Sequence, residues 1–206
     1  MYKVMFYGLM SLVVMGCGGS SNSNASEGNI TVNTPTAITS PKPFDAPLID
    51  SVTMQIYLDA INNARAIEQD CGIEGIKKAV GKLTWNDALY KAAYEHSEDL
   101  AQSDTFLHEG SGTNSDWTAQ VQNLGKGSSL KDRVENNGYS NWKTIGENIS
   151  GGNNQDLAQE AIDAWIASDR HCAVLMNPDY KEVGMGHVEK IGSNLTHYWT
   201  QNFGAR

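Results

Sequence analysis

Hydrophobic periodicity in this chain of 206 residues shifts along its length, from intervals of three and four to intervals of two. That order constrains the fold more than any other feature. Val52, Ile56, Ala60 and Ala64 recur at every fourth position with Tyr57 and Ile61 beside them, which predicts a helix from residue 51 to about 67. Leu89, Ala92, Ala93, His96 and Leu100 form a second helical face, introduced by Thr84 and Asp87 in the pattern of an acidic capping box. Residues 129–136 predict a short helix stopped at Asn137-Gly138. Asn153 with Asp156 opens a last one, striped by Leu157, Ala161, Ala164 and Trp165. Alternation marks residues 144–150, 183–191 and 197–203 as strands, the first with Ile145, Glu147 and Ile149 on one face. Helices gathered early and strands mostly late describe an antiparallel α+β domain rather than a series of βαβ units.

The N-terminus is of a different kind. Lys3 is the only charged residue before Glu27, and residues 4–15 are largely apolar. A run of about 12 residues falls short of the roughly 20 needed to cross a bilayer and matches the core of a secretory leader. Val14-Met15-Gly16-Cys17 resembles the lipobox of bacterial lipoproteins, in which the leader is cut before the cysteine and the cysteine is lipidated. An ordinary leader with an incidental cysteine is the alternative. The following segment is rich in Gly, Ser and Asn, then punctuated by Pro35, Pro41, Pro43 and Pro47. Such a composition cannot bury enough apolar surface to offset its ordering entropy, and as a flexible chain it reaches roughly 30 Å. The sequence thus divides into a signal peptide (1–16), a lipidated cysteine with a disordered linker (17–50), and one domain (51–206) large enough for a core of its own.

The formal net charge is −9, one unit more negative once Lys3 leaves with the leader. An acidic surface repels phosphate backbones, so nucleic acid is not an expected partner. Adhesion to anionic lipid by charge is disfavoured too, leaving the Cys17 anchor as the expected link to a membrane. With Cys17 lipidated, Cys71 and Cys172 remain, an even pair in an exported protein. A bond between them would close a loop of about 100 residues, contributing up to roughly 4.7 kcal/mol in the chain-entropy model. Two free thiols are the alternative.

Three polar residues are the candidates for chemistry. His108 lies in a glycine-rich loop, Glu147 sits between two isoleucines on a strand face, and His171 follows the tryptophan-bearing helix beside Cys172. Two histidines and a glutamate are a familiar ligand set for zinc, with a fourth position left for water. They form equally well a histidine–glutamate hydrogen-bonded group without metal. Glu147 reads either as such a functional acid or as a structural carboxylate, because a buried carboxylate needs a partner in any case. His108-Glu109-Gly110-Ser111-Gly112 begins like a zinc-protease helix but lacks the second histidine. Ser168, three residues before His171, has no nucleophile elbow around it. His96 falls in an apolar stripe and reads as a hydrogen-bonded core histidine, while His187 and His197 are strand residues with no spacing signal.

The run Leu83-Thr84-Trp85-Asn86-Asp87, Ala92-Ala93-Tyr94-Glu95-His96, Leu107-His108, Gly138-Tyr139, Gly146-Glu147-Asn148-Ile149, Trp165 to Cys172, Asn177-Pro178, Gly184-Met185-Gly186 and Tyr198 to Gly204 resembles, in this order, the CAP superfamily. That superfamily includes cysteine-rich secretory proteins, antigen 5 allergens and plant pathogenesis-related proteins. The resemblance runs from about Val52 to Gly204 and is nearest to the bacterial lipoprotein branch. It implies a three-layer α-β-α sandwich with a central antiparallel sheet and a cleft lined by His108, Glu147 and His171, where family members have been associated with zinc or another divalent cation. Ser168 stands where eukaryotic members usually carry a second acid, which implies a weaker or absent metal site. The resemblance also implies a disulfide between Cys71 and Cys172.

Family members bind sterols, fatty acids and other lipids or partner proteins, and proteolysis has been proposed for a few. The first reading is therefore an anchored extracytoplasmic domain that takes a small hydrophobic, lipid or envelope-derived ligand in a cleft able to hold a divalent metal. A zinc-dependent hydrolase, with Glu147 as ligand or general base, is the second. A protein-interaction or envelope-structural module is the third. Gly18 rather than aspartate after Cys17 leans the location towards a bacterial outer membrane, on its periplasmic or surface face. The cleft readings require the two imidazoles to lie within about 10 Å of each other, the reach of one ion or a shared water.

Overall fold

The computed structural model describes residues 42–206; the leader, Cys17 and most of the linker lie outside the described residues. Helix α1 (Ser51–Arg65) starts where Asp50 accepts the N–H groups of Val52 and Thr53 through its carboxylate. Its buried positions, among them Ala60, Ile61 and Ala64, lie in the C-terminal half. Val52 and Ile56, expected to face the core, are 67% and 56% exposed, because α1 turns Tyr57, Leu58 and Ile61 towards the core instead. A small hairpin of β1 (Gln69–Asp70) and β2 (Ile76–Lys77) follows, joined through a 3-10 turn at Gly72–Glu74.

Strand β3 (Thr84–Trp85) leads into helix α2 (Asp87–Ser103), which is capped by Asn86 rather than Thr84: the Asn86 side chain accepts from Ala88 and Leu89. Thr84 is unavailable as a cap because it pairs with Glu182 in the sheet. Helix α3 (Trp117–Gln122) has no forerunner in the periodicity. Helix α4 (Leu130–Asn136) carries the expected start, a capping box between Ser129 and Asp132. Strand β4 (Thr144–Gly152) precedes helix α5 (Ala158–Ile166), which begins later than Asn153 suggests; the Asn153 side chain instead accepts from Thr196, and Glu160 caps the Leu157 N–H. Helix α6 (Asp169–Leu175), strand β5 (Glu182–Glu189) and strand β6 (His197–Ala205) complete the chain.

The main sheet runs β3-β5-β6-β4. Its long pairings are antiparallel, from Thr144 opposite Ala205 to Gly152 opposite His197 and from Glu182 opposite Gly204 to Glu189 opposite His197. The short β3 departs from the all-antiparallel expectation by running parallel to β5. Helices α1, α5 and α6 cover one face over a core of Trp165, Trp199, Val183, Met185 and Phe203. Helices α2 and α4 cover the other over Leu89, Leu100, Val134, Tyr139 and Tyr198. A side chain at Gly184 or Gly186 would collide with the α2 backbone at Tyr90 or Tyr94, at 2.0 and 2.5 Å, so these glycines let the helix rest directly on the sheet. The α+β fold is thus the three-layer α-β-α sandwich.

Part of the segment assigned as disordered linker is ordered. From Lys42 to Asp50 the chain is strapped across the α2–α4 face. Phe44 stacks on Tyr94 and meets Trp117 edge-on, with ring centroids 6.4 and 6.2 Å apart. The Lys42 carbonyl accepts from Trp117 and Asn136, the Phe44 N–H donates to Asn137, and the Tyr90 hydroxyl donates to the Pro47 carbonyl. An aromatic anchor and paired backbone groups hold this stretch to the domain. Among the described residues no helix is long and apolar enough to cross a membrane.

Candidate functional cleft

Strand β4 organises the site by alternation. Glu147 and Asn148 are neighbours and therefore point to opposite faces of the sheet. On the α2 side, Glu147 Oε1 accepts from His108 Nδ1 at 2.9 Å. On the α6 side, the Asn148 amide donates to the backbone carbonyl of His171 at 3.1 Å. One edge strand thus holds both histidines, and their ring centroids lie 6.2 Å apart. His171 sits in the first turn of α6, not past a helix end, and its Nδ1 pairs with Ser168 Oγ at 2.9 Å. The cleft has a volume of about 540 Å³, lined by His108, Glu147, Ser168, Asp169, Arg170 and His171 with the apolar Ile73 and Val174.

Arg133, unmarked in the sequence, is the residue that fixes this arrangement. Its guanidinium is buried and donates to Glu147 Oε2 at 2.8 Å, to the His108 carbonyl at 2.9 Å and to the Ser128 carbonyl at 2.6 Å. Asn202, with its amide turned to satisfy its neighbours, donates to the same Glu147 oxygen at 3.1 Å. His96 is the core histidine its stripe suggests: fully buried, it donates through Nε2 to the Leu107 carbonyl at 3.0 Å and lies 3.8 Å from Glu147 Oε1. The loop bearing His108 is therefore held by its own backbone, through His96 and Arg133, as well as by its ring.

Charge follows from these contacts. Burial alone would raise the Glu147 pKa, but Arg133, His96 and the bonds from His108 and Arg133 outweigh it and hold the carboxyl at about 2. Burial, reinforced by Arg133, pushes His96 down to about 3, so it is neutral. The bond to Glu147 raises the His108 pKa, whereas burial and the nearby His108 lower that of His171. Since an ionised carboxylate only accepts, the His108 proton sits on Nδ1 and the neutral ring presents Nε2 as an acceptor. A depressed carboxyl pKa contributes stability that is present above the ordinary value of 4.5 and lost as pH falls towards about 2. Urea midpoints measured from pH 5 down to pH 2 should fall across that window, and Glu147→Gln should flatten the slope; an unchanged slope would contradict the assignment.

The three-ligand metal set expected from His108, His171 and Glu147 is not assembled as drawn. Among the described residues no three His, Cys, Asp or Glu side chains are grouped to hold a metal ion. The reason is local: both oxygens of Glu147 are engaged by Arg133 and His108, so the carboxylate orients a histidine instead of facing an ion. Asp169, next to Ser168 on the cleft wall, accepts the Ile73 N–H through its carboxylate. The Cys71–Cys172 disulfide is present, ties the 3-10 turn to α6, and thereby sets Ile73 on the cleft wall.

A three-layer sandwich with a paired-histidine cleft at its edge strand defines a class, and comparison with known proteins identifies it. Residues 58–203 match the cysteine-rich secretory protein (CAP) family, and the chain belongs to that family. It is 31% identical over 128 residues to the uncharacterized membrane protein YlbC of Bacillus subtilis (strain 168), covering 62% of this chain and 30% of the relative. It is 30% identical over 127 residues to YkwD of the same organism, again covering 62% of this chain and 41% of the relative. The chain thus spans less than half the length of either. Among solved structures, an extracellular protein containing an SCP domain from Bacillus anthracis shares the fold with a TM-score of 0.53 at 19% identity, over 78% of this chain and 45% of that one.

Proposed function

We propose that this protein is a lipid-anchored, extracytoplasmic CAP domain that binds a small ligand with an apolar body in the cleft between His108 and His171. One observation carries the reading: two imidazoles face each other at 6.2 Å, each tied through Nδ1 and each leaving Nε2 without a partner among the described residues. Beside them Ile73 is 85% exposed and Val174 lines the same cleft, so a polar head meets the imidazoles while an apolar body covers the aliphatic wall. The leader, the lipobox-like Cys17 and the likeness to a Bacillus subtilis membrane protein and an extracellular Bacillus anthracis protein support a place in the cell envelope, which we assign to an outer membrane.

Zinc or another divalent cation fits this arrangement as a two-histidine site, held by His108 and His171 with the remaining positions left to water or ligand. Bound there, it supplies a positive anchor for an anionic head. Glu147 then acts one step removed, by orienting His108. A hydrolase is the weaker reading because Glu147, held at about 2 and bonded on both oxygens, is a poor proton acceptor near neutral pH.

Calorimetry of the full chain with zinc should show weak saturable binding that His108→Ala and His171→Ala abolish. No heat with the unaltered protein would remove the metal from the proposal. Native mass spectrometry after exposure to lipid extract tests the ligand, and a cleft that stays empty with sterols, fatty acids and phospholipids would sink it. Labelling with radioactive palmitate that persists in Cys17→Ala would overturn the anchor.

A further inference from the structure

We propose a second binding pocket, at the β5 end of the sheet rather than at the β4 edge that bears the histidine cleft and sharing no residue with that cleft, that takes an organic ammonium group. Strand β3 pairs with β5 at Glu182 and Val183 only, which leaves the edge of β5 from Gly184 onward open. Helix α1 places Tyr57 there, α2 places Tyr90 and Tyr94, β5 places His187, and the strap residues Leu48 to Asp50 close the side. The pocket opens to solvent and has a volume of about 180 Å³. At about 30 Å³ per water molecule it holds the equivalent of roughly six waters, a size suited to a trimethylammonium group.

The walls are rigid and rich in π electrons. His187 stacks on Trp199 with centroids 3.9 Å apart, and Tyr57 meets the same indole edge-on at 5.5 Å. Tyr90 and Tyr94 meet edge-on at 6.1 Å. Asp50 lines the pocket as the acidic member. Burial raises the pKa of Tyr57, Tyr90 and Tyr94, with Asp50 acting on Tyr57, Asp87 on Tyr90 and Glu98 on Tyr94. Burial and the neighbouring His197 lower that of His187, against which Asp156 acts. Lys91 lines an adjoining depression with Tyr90 and the strap. Aromatic rings around a small pocket, with the Asp50 carboxylate that also caps α1 as its acidic member, attract a cation and repel an anion. A quaternary ammonium suits the pocket better than a metal ion, because the rings supply few lone pairs for coordination and much polarisable surface.

The test is titration calorimetry of the full chain with choline chloride, against sodium chloride as the ionic-strength blank and against 3,3-dimethylbutanol, the neutral isostere of choline. Saturable choline binding with no matching response to the alcohol is expected. Asp50→Asn keeps a good helix cap while removing the charge, and should weaken choline severalfold. Tyr94→Leu should weaken it by about threefold or more. Absence of saturable choline binding, equal binding of the alcohol, or unchanged affinity in Asp50→Asn would overturn the proposal. Vesicles of phosphatidylcholine, compared with phosphatidylglycerol, then separate a lipid headgroup from a free amine as the source: retention on the first alone points to the headgroup, and choline binding without retention points to the free amine.

Discussion

Arg133→Met is expected to lower the unfolding free energy by about 3–5 kcal/mol, the usual cost of stranding one member of a buried ion pair. Arg133 and Glu147 have side chains only 1% and 3% exposed, so water does not screen the loss. The substitution leaves a buried carboxylate with His108, neutral His96 and the Asn202 amide as its remaining neighbours. It also removes the donors that hold the His108 and Ser128 carbonyls. For a domain of this size the melting temperature should fall by roughly 10 °C. The double variant Arg133→Met, Glu147→Met should recover much of the loss, because replacing both partners by apolar groups removes the stranded charge. Urea denaturation of the set decides the matter. A loss below about 1 kcal/mol in the single variant, typical of a surface pair, would contradict the burial account.

The contrast between what the chain shows on reading and what it hides has a physical basis. Strands β4, β5 and β6 are legible because each runs eight or nine residues with one face on a core, long enough for a period of two to register. Helix α1 is legible as a helix, but the outward turn of Val52 and Ile56 is not, since which part of a stripe finds a partner is decided by the sheet beneath it. The start of α2 shows the same dependence. Thr84 and Asn86 both suit a cap, and pairing of Thr84 with Glu182, far away in the chain, settles the choice. Helix α6 and the β1–β2 hairpin are too short for any period, and the turn of the hairpin is fixed to α6 by the disulfide and the Ile73–Asp169 bond.

Within the cleft, His108, Glu147 and His171 are visible by residue type and by the family resemblance, yet their division of roles is not. That division rests on Arg133, which lies beside Val134 on a seven-residue helix and carries no local sign of burial. Asn148 was closer to hand: any residue following Glu147 on a strand must face the other side, where His171 waits. The strap was obscured by its prolines. Phe44 is the one residue in it whose size argued for a docked segment, and it is the residue that stacks on Tyr94.

Removing the bridge with Cys71→Ala and Cys172→Ala should cost about 2–5 kcal/mol, measured as a lower urea midpoint than in the oxidised protein. The two cysteines are 101 positions apart, so the unfolded chain gains the freedom of a long loop, and both sulfurs are buried against Met176 and Val80, so the folded chain loses packing as well. Reduction of the unaltered protein should shift the midpoint in the same direction; coincident oxidised and reduced curves would refute the assigned contribution. The native cleft should respond much less than the stability. His171 neighbours Cys172, but its carbonyl is held by Asn148 and its ring by Ser168, neither of which needs the bridge. What the bridge secures, together with the Asp169 carboxylate, is the wall, since Ile73 belongs to the turn that both tie to α6. The proposed zinc affinity should therefore survive in the double variant while capture of an apolar ligand weakens. Loss of both together would mean that the imidazole pair depends on the disulfide, and that Asn148 and Ser168 do not suffice to place it.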